Sequence, residues 1–319
     1  MNIRTAWAWV VLMPILVGLA SPGCSETALQ KVSLEEVMSI GGLDDETLFQ
    51  WIGVASDAEG FLYVLDALDY SLKKFDARGT LLKKAGRKGQ GPGEFMAPRL
   101  LASSPSFLYA VDQNVLGIFV FDRELNYKKL IPCPSPIMHL KAMADDKVAV
   151  SVMGFQNPGK ILVLGGDGTI LLELAYMDKN PGLLMDTISF VPDGQGHFYL
   201  AFLFQDRIEK WTADGRRLWS KKLFGGKKVE MKSISSFNLP GETCFKDIAL
   251  DGRGHVFVLG GKLSKNPSRD VFVLSQDGEP LTVFTLPDAS HCLYVDSNNF
   301  LYTRADDGIS LKKYRIVYD

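Results

Sequence analysis

The chain has 319 residues, 46% of them hydrophobic, with 35 Lys and Arg against 37 Asp and Glu and a formal net charge of -2. Such a composition supplies ample material for a core, and the lack of a basic excess excludes a broad phosphate-neutralising surface, so no nucleic-acid partner is expected. With 30 Gly, 15 Pro and 11% aromatic residues, the chain reads as many short strands separated by turns.

The first element is an export signal. Arg4 supplies the positive start, Ala6 to Leu19 form an apolar stretch too short to span a bilayer comfortably, and the small residues Ala20, Ser21 and Gly23 follow. Cys24 after Gly23 resembles the site at which bacterial lipoproteins are cleaved and acylated, although Pro22 and Ser21 depart from that motif and cleavage after Ala20 is the alternative. Residues 1–24 are therefore expected to be a signal peptide and 25–319 a single domain. The protein is expected to be exported, periplasmic or membrane-anchored, touching the membrane only through a lipid on Cys24. The remaining cysteines, Cys133, Cys244 and Cys292, show no CxxC and no zinc spacing. Their odd number allows at most one internal disulfide.

From Trp51 onward a phrase recurs six times: a Gly-marked turn, a β-rich triplet, then a second apolar strand and a polar turn. The triplets end at Tyr63, Tyr109, Val150, Tyr199, Phe257 and Tyr302, at separations of 46, 41, 49, 58 and 45 positions. A second anchor follows in each unit, and 12 positions separate Tyr63 from Phe75, Tyr109 from Phe121, Tyr199 from Trp211 and Tyr302 from Tyr314. Units of this length built from four strands, A to D from the centre outward, predict an all-β six-bladed propeller of four-stranded antiparallel blades. The sixth unit lacks a D strand. The segment Lys31 to Gly41 is expected to fill that place beside Leu311 to Tyr318 and close the ring.

Gly89-Gln90-Gly91-Pro92-Gly93-Glu94-Phe95, with Pro98 three residues on, resembles the linker of NHL repeats, as the Phe61-to-Asp66 and Leu72-to-Asp76 strings resemble their strands. The resemblance is strongest in the first two units and implies a six-bladed propeller. It leaves activity open, because similar propellers serve as ligand scaffolds, lactonases and lyases.

Chemistry is sparse. The Gly89, Gly91, Gly93 run lacks the Lys-Ser/Thr of a phosphate cradle and reads as a linker. His197 and His255 occupy equivalent turn positions. His139 and His291 fall on expected A strands, so that with Cys133, Cys244 and Cys292 they could form a soft metal site at the channel mouth, against a bland reading of small buried residues. Asp66, Asp112 and Asp206 end B strands or enter B-to-C loops at roughly matching places, where a carboxylate most simply caps a turn. No Ser-His-Asp order, HExxH phrase or nucleophile elbow is present.

Length variation points elsewhere. The B-to-C loop of the fifth unit, Gly260 to Arg269, and the linker Gly225 to Thr243 should meet on one face. They carry Lys227, Lys228, Lys232, Lys262, Lys265 and Arg269, with Met231 and Phe237 as apolar contacts, and are the expected binding site. The sequence thus predicts a non-enzymatic binding scaffold for a protein, glycan or small polar ligand, without a metal or other cofactor. A metal-dependent lactonase or lyase using a divalent cation at the channel mouth is the alternative.

Overall fold

The computed structural model describes residues 31–42, 53–152, 159–176, 184–234, 237–305 and 309–318. The N-terminal segment that includes Cys24 lies outside them. Strand β1 is Val32–Gly41. Blade 1 follows as β2 (Gly53–Ser56), β3 (Leu62–Asp66), β4 (Ser71–Phe75) and β5 (Leu81–Ala85). Blade 2 comprises β6 (Pro98–Ser103), β7 (Phe107–Asp112), β8 (Gly117–Asp122) and β9 (Tyr127–Pro132). In blade 3 these are β10 (Ile137–Ala142), β11 (Val148–Val152), β12 (Lys160–Leu164) and β13 (Ile170–Ala175). Blade 4 contains β14 (Ile188–Pro192), β15 (His197–Phe202), β16 (Ile208–Thr212) and β17 (Arg217–Lys221). A two-stranded hairpin, β18 (Met231–Ile234) and β19 (Phe237–Pro240), then interrupts the series. Blade 5 is built from β20 (Phe245–Leu250), β21 (Val256–Gly260), β22 (Asp270–Leu274) and β23 (Pro280–Thr285). Blade 6 has β24 (Ser290–Val295), β25 (Phe300–Ala305) and β26 (Ser310–Tyr318), with β1 as its fourth strand.

Every blade is an antiparallel meander in chain order, and the sixth runs β24, β25, β26, β1. The β1–β26 register extends from Val32 opposite Tyr318 to Gly41 opposite Ser310, with one bulge between Glu36 and Met38. The middle strands are buried on both faces: every residue of β3, β4 and β11 is buried, whereas the outermost β5 is almost wholly exposed. A blade cannot bury two faces alone, so apolar clusters form between neighbours. They join blades 1 and 2, 2 and 3, 3 and 4, 4 and 5, and 5 and 6. A sixth, containing Met38, Ile40, Tyr302 and Leu311 with Leu62, Val64 and Phe75, joins blade 6 to blade 1.

In three of the four units that keep the 12-residue register, the Tyr that ends the triplet lies under the lysine preceding the second anchor: Lys74 Nζ is 5.9 Å from the Tyr63 ring centroid, Lys210 Nζ 4.9 Å from Tyr199 and Lys313 Nζ 5.4 Å from Tyr302, whereas Tyr109 faces Val120. A cation over an aromatic face lets a charged residue occupy a buried strand. Glycine-rich residues 89–95 form the linker from blade 1 to blade 2. Gly91 N–H donates to Glu94 Oε2 at 2.9 Å and Gly89 N–H to the Phe95 carbonyl at 3.0 Å, so these amides serve their own loop. Phe95 is fully buried against Phe119 and Phe121.

Candidate functional site

The expected binding loops lie together at the fifth blade. Asp206, near the end of the β15–β16 loop, accepts the N–H groups of Leu223, Phe224 and Gly226 at 2.8, 2.9 and 2.7 Å and so fixes the base of the linker. Phe224 stacks on Phe245 with centroids 5.5 Å apart and meets Phe272 edge-on at 5.4 Å. The chain then passes exposed Lys227 and Lys228 and enters the hairpin, whose base is closed by Gly241 N–H to the Glu230 carbonyl. Gly261 N–H donates to the Cys244 carbonyl and Lys262 N–H to the Thr243 carbonyl, each at 2.8 Å, joining the β21–β22 loop to the linker. A side chain at residue 261 would strike the Thr243 carbonyl, which explains the glycine there.

The predicted residues divide by their contacts. Lys227, Lys228, Lys232 and Lys265 are exposed, and Met231 is exposed beside Lys232 on β18. Lys262 pairs with Glu242 at 3.1 Å. Arg269 departs from the expectation of a free surface cation: its Nε donates to the Leu286 carbonyl at 2.8 Å, and it is half-buried. Phe237 belongs to β19, and its side chain lies outside the described residues. The hairpin itself was missed by sequence reasoning, which took residues 225–243 as an open linker.

The other candidates separate. Asp66 and Asp112 end β3 and β7, where Asp66 accepts Lys73 Nζ at 2.6 Å and Asp112 the amides of Met96 and Ala97, each at 2.7 Å; with Asp206 in the β15–β16 loop, all three carboxylates are structural. His197 and His255 bond through Nδ1 to Asp193 and Asp251 at 2.7 and 2.8 Å, four residues earlier in the same turn. The soft metal cluster does not form. Cys133 lies in the core between blades 2 and 3, Cys244 lies in that between blades 4 and 5, and all three described cysteines are free thiols, which corrects the allowance for a disulfide. Among the described residues, no three His, Cys, Asp or Glu side chains are placed to hold a metal ion.

Sequence reasoning also missed most of the channel's chemistry. A cavity of about 330 Å³ runs between the innermost strands of all six blades, lined in part by Val54, Arg99, His139, Lys141, Asp247 and Cys292. A second, about 440 Å³, shares Arg99 at the end carrying the B-to-C loops and linkers. A third, about 720 Å³, shares Ser103, Ala142, Pro192 and Leu250 at the short-turn end. Bulges distort four of the six innermost strands near their starts, between Pro98 and Leu100, Ile137 and His139, Phe245 and Asp247, and Ser290 and Leu293. Arg99 is the extra residue of the first of these. Bulges re-aim side chains that regular pleating would place elsewhere.

Charge in the channel is unevenly satisfied. Asp247 accepts Ser189 Oγ at 2.6 Å and the amides of Ile248 and Leu293, each at 2.9 Å, tying blades 4, 5 and 6 together. Arg99 and Lys141 form no ion pair with a described residue. Burial holds the Arg99 pKa below the usual arginine value. Burial also lowers the His139 pKa to about 4, opposed by the charge of Asp247 and assisted by Lys141 and Arg99, so the imidazole is neutral at pH 7. The Cys292 thiol is pushed up to about 11, first by burial and then by Asp247, which makes it a poor nucleophile at neutral pH.

No protein-family model matches the chain, and no curated protein matches it. Solved structures do. A streptogramin B lyase is 11% identical, with 91% of this chain and 99% of that one covered and a TM-score of 0.57. A member of the DUF4221 family from Bacteroides vulgatus is 13% identical over 91% of this chain and all of that one, with a TM-score of 0.59. The PQQ-bound aldose sugar dehydrogenase of Streptomyces coelicolor is 15% identical over 90% of this chain and 99% of that one, with a TM-score of 0.55. At these identities the likeness is one of fold, and it spans binding and catalytic proteins alike.

Proposed function

We infer that this propeller is an exported, non-enzymatic binding scaffold whose partner is an acidic protein or glycan, engaged on the face that bears the B-to-C loops and linkers. The carrying observation is that two insertions, separated by β20 and β21, are hydrogen-bonded to each other and present Lys227, Lys228, Lys232 and Lys265 beside exposed Met231. A cationic rim around an apolar contact suits a partner with clustered carboxylates or sulfates. Heparin and poly-glutamate columns supply the probes. Retention should fall sharply in a triple variant, Lys227→Glu, Lys228→Glu and Lys232→Glu, and the wild type should elute earlier as salt rises. Equal retention of variant and wild type would refute this surface.

The lyase or lactonase reading has one observation in its favour: His139, Asp247 and Cys292 line a single cavity. Stoichiometric binding of Ca²⁺ or Zn²⁺, lost on Asp247→Asn, would move the function to the channel. For export, the mass of protein from its native host is decisive. A mature chain starting at acylated Cys24 is the expected product, cleavage after Ala20 would remove only the lipid, and an intact Met1 would refute export.

A further inference from the structure

The channel contains an arrangement that the hairpin surface does not use. Arg99 and Lys141 line its walls from adjacent blades, and neither meets a carboxylate among the described residues. The nearby acid, Asp247, already receives one hydroxyl and two backbone amides. His139, which senses Asp247, Lys141 and Arg99 together, adds no negative charge to balance the two cations. Arg99 is placed there by a bulge opposite Asp112 and Val111. Arg99 is exposed and Lys141 half-buried, so both cations keep water at their heads, and an anion entering the channel would exchange that water for charge-assisted hydrogen bonds. The remaining wall is mostly apolar, with Val54, Val191, Leu293 and Val295 outnumbering the polar Ser103 and Tyr294, and a volume of about 330 Å³ suits a small molecule.

We propose that the central channel is a binding site for a small organic anion, its carboxylate held by Arg99 and Lys141 and its apolar body set against Val54, Val191 and Val295. The site is independent of the hairpin surface and survives if that surface is refuted. Arg99 can grip a carboxylate through two parallel N–H donors, whereas Lys141 supplies a point charge, so replacing Arg99 should do more damage.

Calorimetric titration of the whole chain with benzoate and hexanoate, against benzamide and hexanamide, tests the assignment. The carboxylates should bind one to one and the amides at least about tenfold more weakly. Arg99→Gln and Lys141→Met should each weaken benzoate by about tenfold or more, while Lys83→Gln, on the exposed outer strand β5, leaves it unchanged. A readout on the unaltered protein guards against variants that misfold: the His139 ring protons, followed by NMR, should report a pKa raised from about 4 on saturation with benzoate, because a neighbouring anion favours the imidazolium. The proposal is overturned by failure of both carboxylates to saturate the chain below about 10 mM, by equal binding of acids and amides, or by an unmoved His139. Inorganic phosphate binding as tightly as benzoate would overturn the apolar half.

Discussion

Asp206 shows how much a single side chain can fix. Its carboxylate is nearly inaccessible, and its three amide partners hold the linker from which the hairpin rises. Asp206→Ala would leave those donors short of an acceptor, at a cost of about 3 kcal/mol or more in a denaturant melt. Asp214→Ala, on an exposed turn, should cost under about 1 kcal/mol. A matched pair of melts would refute this account of the linker. His139 makes a second claim at this scale. Its folded pKa of about 4 lies below the unfolded value of about 6.5, so between them the unfolded chain binds the proton that the native chain refuses. Native stability should therefore decline as pH falls from about 6.5 to 4. Water reaches part of this half-buried ring, so the loss is set at about 2 kcal/mol. Urea melts of His139→Gln should be flatter across that window, and identical pH profiles would remove His139 from the account. Of these residues, Asp66, Asp112 and Asp206 were legible as turn carboxylates because they recur with the repeat. Arg99 and Lys141 were not, because alternation alone does not say which side of an innermost strand faces the axis, and a bulge changes that side without marking the sequence.

Blades owe their legibility to local rules. Glycine turns, β-branched and aromatic runs, and the Tyr–Lys stacking of blades 1, 4 and 6 all act within one repeat and survive as pattern. The hairpin was illegible for the opposite reason: each arm has four residues, and Pro240 at its end weakens any reading as a strand. Strand β1 is instructive because its partner is nearly the whole chain away. It pairs along the length of β26 and contributes Val32 to the core shared with blade 5 and Met38 and Ile40 to that shared with blade 1. Removing residues 31–41 would bare the β26 edge and open both interfaces. A loss of several kcal/mol is expected, about the scale of a domain's whole margin. Thermal melts of the truncated and intact proteins that coincide would show β1 to be dispensable.

At the scale of the ring, stability depends on every neighbour. A linear array of repeats can fray from its ends, because each unit touches only the next. Here the junction between blades 6 and 1 has its own apolar cluster, and Ser56 on blade 1 bonds through Oγ to the Tyr294 hydroxyl at 3.1 Å and to Asp296 at 3.4 Å. Six interfaces closed on themselves leave no end at which opening is cheap, so the intact protein should unfold in one transition. In a Trp51→Phe background without residues 1–24, which carry Trp7 and Trp9, Trp211 and Trp219 are the remaining tryptophans and report on blade 4, while far-ultraviolet circular dichroism averages all blades. In the intact protein the two signals should fall at the same denaturant concentration. Without residues 31–41, blades 6 and 1 become the ends of an open array, and the dichroism should begin to fall before the blade 4 fluorescence does. Separate transitions in the intact protein, or coincident ones in the truncated form, would mean that closure does not govern how this propeller unfolds.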